Sequence, residues 1–194
     1  SQDSVARNDL SVIDKILENQ KNNFDFGKTI KTFGPISAEA IQYEDTGFGS
    51  SFSKAILCFL SSRKPREFRN NTEIRLDQTF SDANLRQLHH IFPTNYLKKN
   101  VKGKKEKQFA TYFGNSIANI SLIPASTNRD IWDNPPSQYF SQFEKENEEL
   151  SVTLLTHFIT NLQEDGLKED DFETFLKKRA KFIADEINHF ITTL

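Results

Sequence analysis

The side chains with the most chemistry to offer are two adjacent imidazoles, His89 and His90, in the string Leu88-His89-His90-Ile91-Phe92-Pro93, followed downstream by Asn119 and Asn128. Hydrolysis of a phosphodiester requires a base to activate water and a cation to stabilise charge on the phosphate and the leaving 3′ oxygen. Neighbouring residues on a strand point to opposite faces, so His89 and His90 cannot share one task in a regular strand. One can ligate a metal while the other aims at water, provided the strand twists or ends between them. Asn128 offers a carbonyl oxygen, a hard ligand suited to Mg2+ or Mn2+. Asn119 is placed to bridge the intervening loop through side-chain hydrogen bonds.

Charge reinforces this focus. The chain of 194 residues has a net charge of -2, which by itself argues against a nucleic-acid partner. Its distribution is uneven. From Ser61 to Ala110 twelve Lys and Arg face five Asp and Glu, a net +7 that leaves -9 for the remainder. The double histidine lies inside that basic stretch. Lys98, Lys99, Lys102, Lys104, Lys105 and Lys107 form its densest part, read here as a solvated, mobile loop able to touch DNA phosphates without reading sequence.

The elements that must position these groups are mostly helical. A short amphipathic helix is expected over Asp9 to Asn19, then loop from Lys21 to Ser50 with one helix around Ala38 to Tyr43. Ser53 to Leu60 predicts a helix with Ala55, Ile56, Phe59 and Leu60 on its buried face and Phe52 as a staple. Asn84 to His89 is compatible with helix or loop, while His89 to Phe92 and Asn119 to Ile123 read as short strands, each stopped by a proline. Helices are expected from Ser126 to Ile131, from Pro135-Pro136-Ser137 through Phe143, over Leu150 to Asn161 with Val152, Leu155, Phe158 and Ile159 facing inward, and over Asp170 to Leu194. The fold class is therefore mainly α (α+β), a helical domain with a small two-stranded insert that holds the polar cluster.

Other polar and aromatic residues take plainer readings. His157 and His189 are expected to be structural, Trp132 and Tyr139 to pack, with Tyr139 also able to reach a phosphate, and Cys58 to be inert core. A single cysteine excludes an internal disulfide and a Cys-x-x-Cys zinc knuckle. No apolar run is long enough to span a membrane and no secretory signal opens the chain, so a cytoplasmic location is expected. The lack of any methionine points to a piece of a longer protein.

Four ordered strings make the sequence similar to a known family. Leu88-His89-His90-Ile91-Phe92-Pro93, Ile117-Ala118-Asn119-Ile120-Ser121-Leu122-Ile123, Thr127-Asn128-Arg129 and Pro136-Ser137-Gln138-Tyr139-Phe140 resemble the HNH (ββα-metal) domain of the GmrSD-type restriction endonucleases, and Asp170 to Leu176 with Arg179-Ala180 resembles its closing helix. The resemblance covers roughly Ser51 to Leu194 and fits more loosely at Ser53 to Leu60 and Leu76-Asp77. It implies an N-terminal helical or linker segment at 1–50 and a nuclease domain at 51–194, with a ββα core near 86–147 and closing helices at 149–194.

The same resemblance implies roles. His90 matches the general base, His89 and Asn128 the ligands of one divalent ion, and Asn119 the Asn that steadies the hairpin. Arg129 becomes a candidate for the scissile phosphate, since a guanidinium can bind two phosphate oxygens. An Asn at the third HNH position favours Mg2+ or Mn2+ over Zn2+. A ParB-like nucleotide-binding domain, present N-terminal to this one in the family, is an expected partner in the parent protein. The expected activity is cleavage of DNA in a bacterial anti-phage or modification-dependent restriction system. Two readings stand against it: an inactive HNH-like module that binds DNA, and a helical assembly domain.

Overall fold

A computed structural model describes residues 35–46, 50–74 and 88–193. The expected helix at Asp9 to Asn19, most of the glycine-punctuated stretch that follows it, and the Leu76-Asp77 and 84–87 segments lie outside the described residues. Ile36–Ile187 forms one compact unit.

Helix dominates. The elements are α1 (Ala38–Tyr43), α2 (Ser51–Ser62), β1 (His89–His90), α3 (Thr94–Asn100), α4 (Lys104–Phe113), a 3-10 turn at Ile117–Asn119, β2 (Ile120–Ser121), α5 (Ala125–Ile131), α6 (Pro136–Glu146), α7 (Leu150–Leu155) and α8 (Phe172–Thr193). The strands pair antiparallel, His89 opposite Ser121 and His90 opposite Ile120. Among the described helices none is long and apolar enough to cross a membrane.

Local chemistry explains where the helices begin. The Ser37 hydroxyl accepts from the Ala40 N–H at 3.1 Å, and the Ser50 hydroxyl accepts from the Phe52 and Ser53 N–H groups, satisfying donors that a first turn leaves free. Pro136 opens α6, where its missing N–H costs nothing. The core is built on phenylalanine. Phe68, Phe92, Phe140, Phe143, Phe158 and Phe175 are all essentially inaccessible, each worth about 2 kcal/mol in burial. Phe92, just past β1, sits 5.2 Å from the rings of both Phe172 and Phe175 and so ties the hairpin to α8.

Several expectations are corrected. The lysine run is not a mobile loop: Lys98 and Lys99 close α3, and Lys104, Lys105 and Lys107 lie on α4. Gly103, at φ 95°, makes the break between the two helices, and Ala110 with half-buried Phe109 and Phe113 supplies the inward side of α4. All six lysines are exposed.

On α2 the buried stripe is Ser53, Ile56, Leu57 and Leu60, so Ala55 and Cys58 face outward and Cys58 is an exposed thiol rather than core. A serine in the stripe disguised its i, i+3, i+4, i+7 spacing. A threonine did the same on α7, whose buried residues are Leu150, Thr153 and Leu154 while Val152 and Leu155 are exposed. That helix stops well before Asn161, and Phe158 takes a left-handed φ of 58° beyond its end. Trp132, expected to pack, ends α5 at φ 50° and is 75 % exposed. Each strand is shorter than expected, and Asn119 lies in the 3-10 turn before β2 rather than at the head of the strand.

Candidate active site

Strand β1, turn 91–93, strand β2 and helix α5 bring the polar residues together. Asn119 is the organiser of the turn. Wholly buried, it accepts from the Phe92 N–H through Oδ1 at 2.9 Å, and its Nδ2 donates to the Phe92 and Gly114 carbonyls at 3.0 and 2.9 Å. Its backbone carbonyl also accepts from the Ile91 N–H. Tyr139, buried on α6, donates its hydroxyl to the Ile91 carbonyl at 2.7 Å, so it is engaged in holding the turn and its hydroxyl faces no solvent. The chain direction immediately after the two histidines is thus set by buried bonds.

His89 and Asn128 meet. His89 is 3 % exposed, and its ring is hydrogen-bonded with the Asn128 side chain and the Ile123 backbone. Burial lowers its pKa from 6.5 to about 4, a fall that those two bonds oppose and neighbouring His90 reinforces. The neutral imidazole is its form at neutral pH. Asn128 sits on α5 beside Thr127, whose hydroxyl donates at 2.9 Å to the buried Glu67 carboxylate and so anchors this helix to the 65–74 segment.

His90 points into different company. Its ring is hydrogen-bonded with Asn115, and the Asp45 carboxylate is close enough to favour its charged form, but burial dominates and lowers its pKa below 6.5. Its Nε2 is buried and has no hydrogen-bond partner among the described residues. A buried, unsatisfied imidazole nitrogen is costly in an ordinary core. The partners of His90 arrive by main-chain stitching: the Thr46 N–H donates to the Asn115 carbonyl, the Ile117 N–H to the Glu44 carbonyl, and Asp45 bridges to Ser116.

A third buried imidazole, His157, braces β2 and is structural as expected. The Arg66 carbonyl, which can only accept, lies 2.7 Å from Nε2, so Nε2 carries the proton. Nδ1 then accepts from the Ser121 hydroxyl at 2.9 Å. Arg179, buried in the apolar stripe of α8, donates to the His157 and Ala118 carbonyls at 2.9 and 2.6 Å. Burial lowers its pKa from 12.5 to about 9.

Sequence reasoning singled out the His pair, Asn119 and Asn128, which the fold gathers; Arg129 is exposed on α5 next to Asn128. It missed Asp45, Glu67, Asn115, Ser121, Thr127 and the bracing role of Arg179. Only Arg179 carried a signal: it falls between Leu176 and Ile183 on the face that also holds Phe172, a position reserved for apolar side chains.

Neither a curated protein nor a solved structure matches this chain. One protein-family model does, over residues 38–186, which is most of the sequence. The chain accordingly belongs to the family of GmrSD restriction endonucleases, as their C-terminal domain.

Proposed function

We propose that this domain is the nuclease centre of such an enzyme, an HNH endonuclease that hydrolyses DNA phosphodiester bonds with one divalent ion on a ββα-metal motif formed by β1, β2 and α5. The observation that carries the reading is the division between the two histidines. His89 is paired with Asn128, while His90 keeps a buried Nε2 without a partner.

The donor set fits a hard cation held lightly. His89 offers a neutral imidazole and Asn128 an amide oxygen, and among the described residues no three His, Cys, Asp or Glu side chains gather. Mg2+ retains several waters and accepts few protein ligands, so phosphate oxygens would complete its shell; Mn2+ tolerates the same pair, and a two-ligand site suits Zn2+ poorly. Bound there, the ion would stabilise charge on the phosphate and on the leaving 3′ oxygen.

The remaining work falls to the chain itself. His90, neutral at its lowered pKa, would take the proton of the attacking water once DNA binding opens its buried Nε2 to that water. Asn119 touches no substrate, being wholly buried, and acts by fixing the turn that aims His90. Arg129 offers its guanidinium to the scissile phosphate, and the exposed lysines of α3 and α4 hold neighbouring phosphates without sequence preference. A ParB-like nucleotide-binding domain in the parent protein would supply control, and modification-dependent restriction of phage DNA is the setting. An HNH-like module that binds DNA without cutting is the competing reading, favoured by the lack, among the described residues, of any three His, Cys, Asp or Glu side chains gathered to hold a metal.

Plasmid nicking in Mg2+ or Mn2+ separates the two. Wild-type protein should nick, and His90→Ala should lower the rate by about a thousand-fold while leaving DNA affinity within a factor of a few. Full activity in His90→Ala, or salt-sensitive binding with no cleavage in any divalent metal, would sink the proposal.

A further inference from the structure

Between α3 and α4 lies a cavity of about 210 Å3 whose polar lining is Thr94, Lys98, Lys107, Thr111 and Asn115. Leu97 and Ala110, both buried, form its apolar floor. Among the described residues no carboxylate lines it. Thr111 directs its hydroxyl to the Lys107 carbonyl of its own helix at 2.8 Å, which leaves Thr94, Lys98, Lys107 and Asn115 as donors toward the cavity. Lys98 and Lys107 make no ion pair among the described residues, unlike Lys99, whose Nζ meets Asp133 at 3.4 Å. A pocket of two unpaired ammonium groups, a hydroxyl and an amide, with no negative group, suits a phosphate oxyanion.

Asn115 gives the cavity its place in the molecule. It lines this space and is also hydrogen-bonded with the His90 ring. The Thr46 N–H fixes its carbonyl at 3.1 Å, so the residue is held from the α1 side as well. We infer that the cavity is a phosphate subsite for the DNA backbone, seating a phosphate that flanks the scissile one, with Lys98 and Lys107 supplying charge and Thr94 and Asn115 supplying hydrogen bonds. The inference rests on the reading of His90 as the base, because Asn115 joins the subsite to that residue. Free phosphoryl compounds share this chemistry; the continuity with His90 selects the backbone phosphate over them.

The test reads binding without cutting. The full chain in EDTA is titrated into a labelled short oligothymidylate and followed by fluorescence anisotropy, with inorganic phosphate as the second probe. Lys98→Ala/Lys107→Ala should weaken oligonucleotide binding about ten-fold more than Lys104→Ala/Lys105→Ala, which removes the same charge from the same basic stretch outside the cavity. Thr94→Val should weaken it about five-fold. Equal losses in the two double variants would overturn the subsite, since diffuse charge then accounts for the affinity. Inorganic phosphate binding that depends on Lys98 and Lys107, alongside oligonucleotide binding that ignores them, would overturn it too. Binding through the cavity by a protein that cuts no DNA in Mg2+ or Mn2+ would support the subsite and defeat the nuclease reading.

Discussion

His157 and His90 are both largely buried imidazoles with lowered pKa values, yet their surroundings treat them in opposite ways. His157 has Ser121 on one ring nitrogen and the Arg66 carbonyl on the other, with Arg179 fixing its own carbonyl. His90 has Asn115 and the field of Asp45 but a buried Nε2 that no described residue satisfies. In the first region both ring nitrogens are bonded, and the result is rigidity. In the second, bonding capacity is left open on Nε2, and open capacity is what a general base must have. The difference teaches that burial and a depressed pKa do not by themselves distinguish a reactive histidine from a structural one. What separates His157 from His90 is the number of satisfied ring nitrogens.

The sharpest way to break this comparison is to remove the brace of the turn that follows His90. Asn119→Ala strips partners from the Phe92 N–H and from the Phe92 and Gly114 carbonyls, all within the core. Urea denaturation should show a loss of about 4 kcal/mol; a loss under about 1 kcal/mol would mean that water replaces the amide and that the turn is not held as described.

The next effect is the pH dependence of the satisfied region. Burial lowers the His157 pKa from 6.5 to about 4, against the Arg66 carbonyl hydrogen bond that raises it and with Arg179 adding to the fall. The unfolded chain therefore takes up this proton first as pH drops. Stability from His157 is complete above its unfolded pKa of 6.5 and is lost as pH falls from there towards about 4, by up to about 3 kcal/mol. Across that window His157→Gln should lose less stability than wild type by that amount. Parallel stability profiles for the two proteins would contradict the neutral, doubly bonded imidazole.

The smallest effect belongs to the open region. His90→Phe removes a buried nitrogen that has no partner, so its unfolding free energy should stay within about 1 kcal/mol of wild type, on the stabilising side, although cleavage is abolished. A destabilisation beyond about 2 kcal/mol would reveal that Nε2 does have a partner in solution.

Much of the architecture was legible because local rules write it. Helix α1 appears at Ala38–Tyr43 as expected, α5 and α6 within a residue or so of their predicted starts, and α8 over nearly its full expected span. Proline stops, serine caps and 3.6-residue periodicity act within a few residues, so they survive in a linear reading. The same rules failed where one polar residue interrupted a stripe, as Ser53 and Thr153 did, and where tertiary contact overruled composition, as in the lysine-rich α4, which is helical because Phe109, Ala110 and Phe113 give it a side to bury.

By itself the sequence determined most of the described element types outside the lysine run, set the two histidines on a short strand, and singled out His89, His90, Asn119 and Asn128 as candidates. Only the tertiary structure decided which histidine was paired and which was left open. Asp45 and Asn115 approach His90 from opposite directions along the chain, Arg66 supplies the carbonyl for His157, and Arg179 reaches back to the residue before Asn119. Periodicity encodes which face of an element is apolar, but it carries no record of which distant partner satisfies a buried polar atom. That is fixed only when packing closes the core and every donor must find an acceptor or go without.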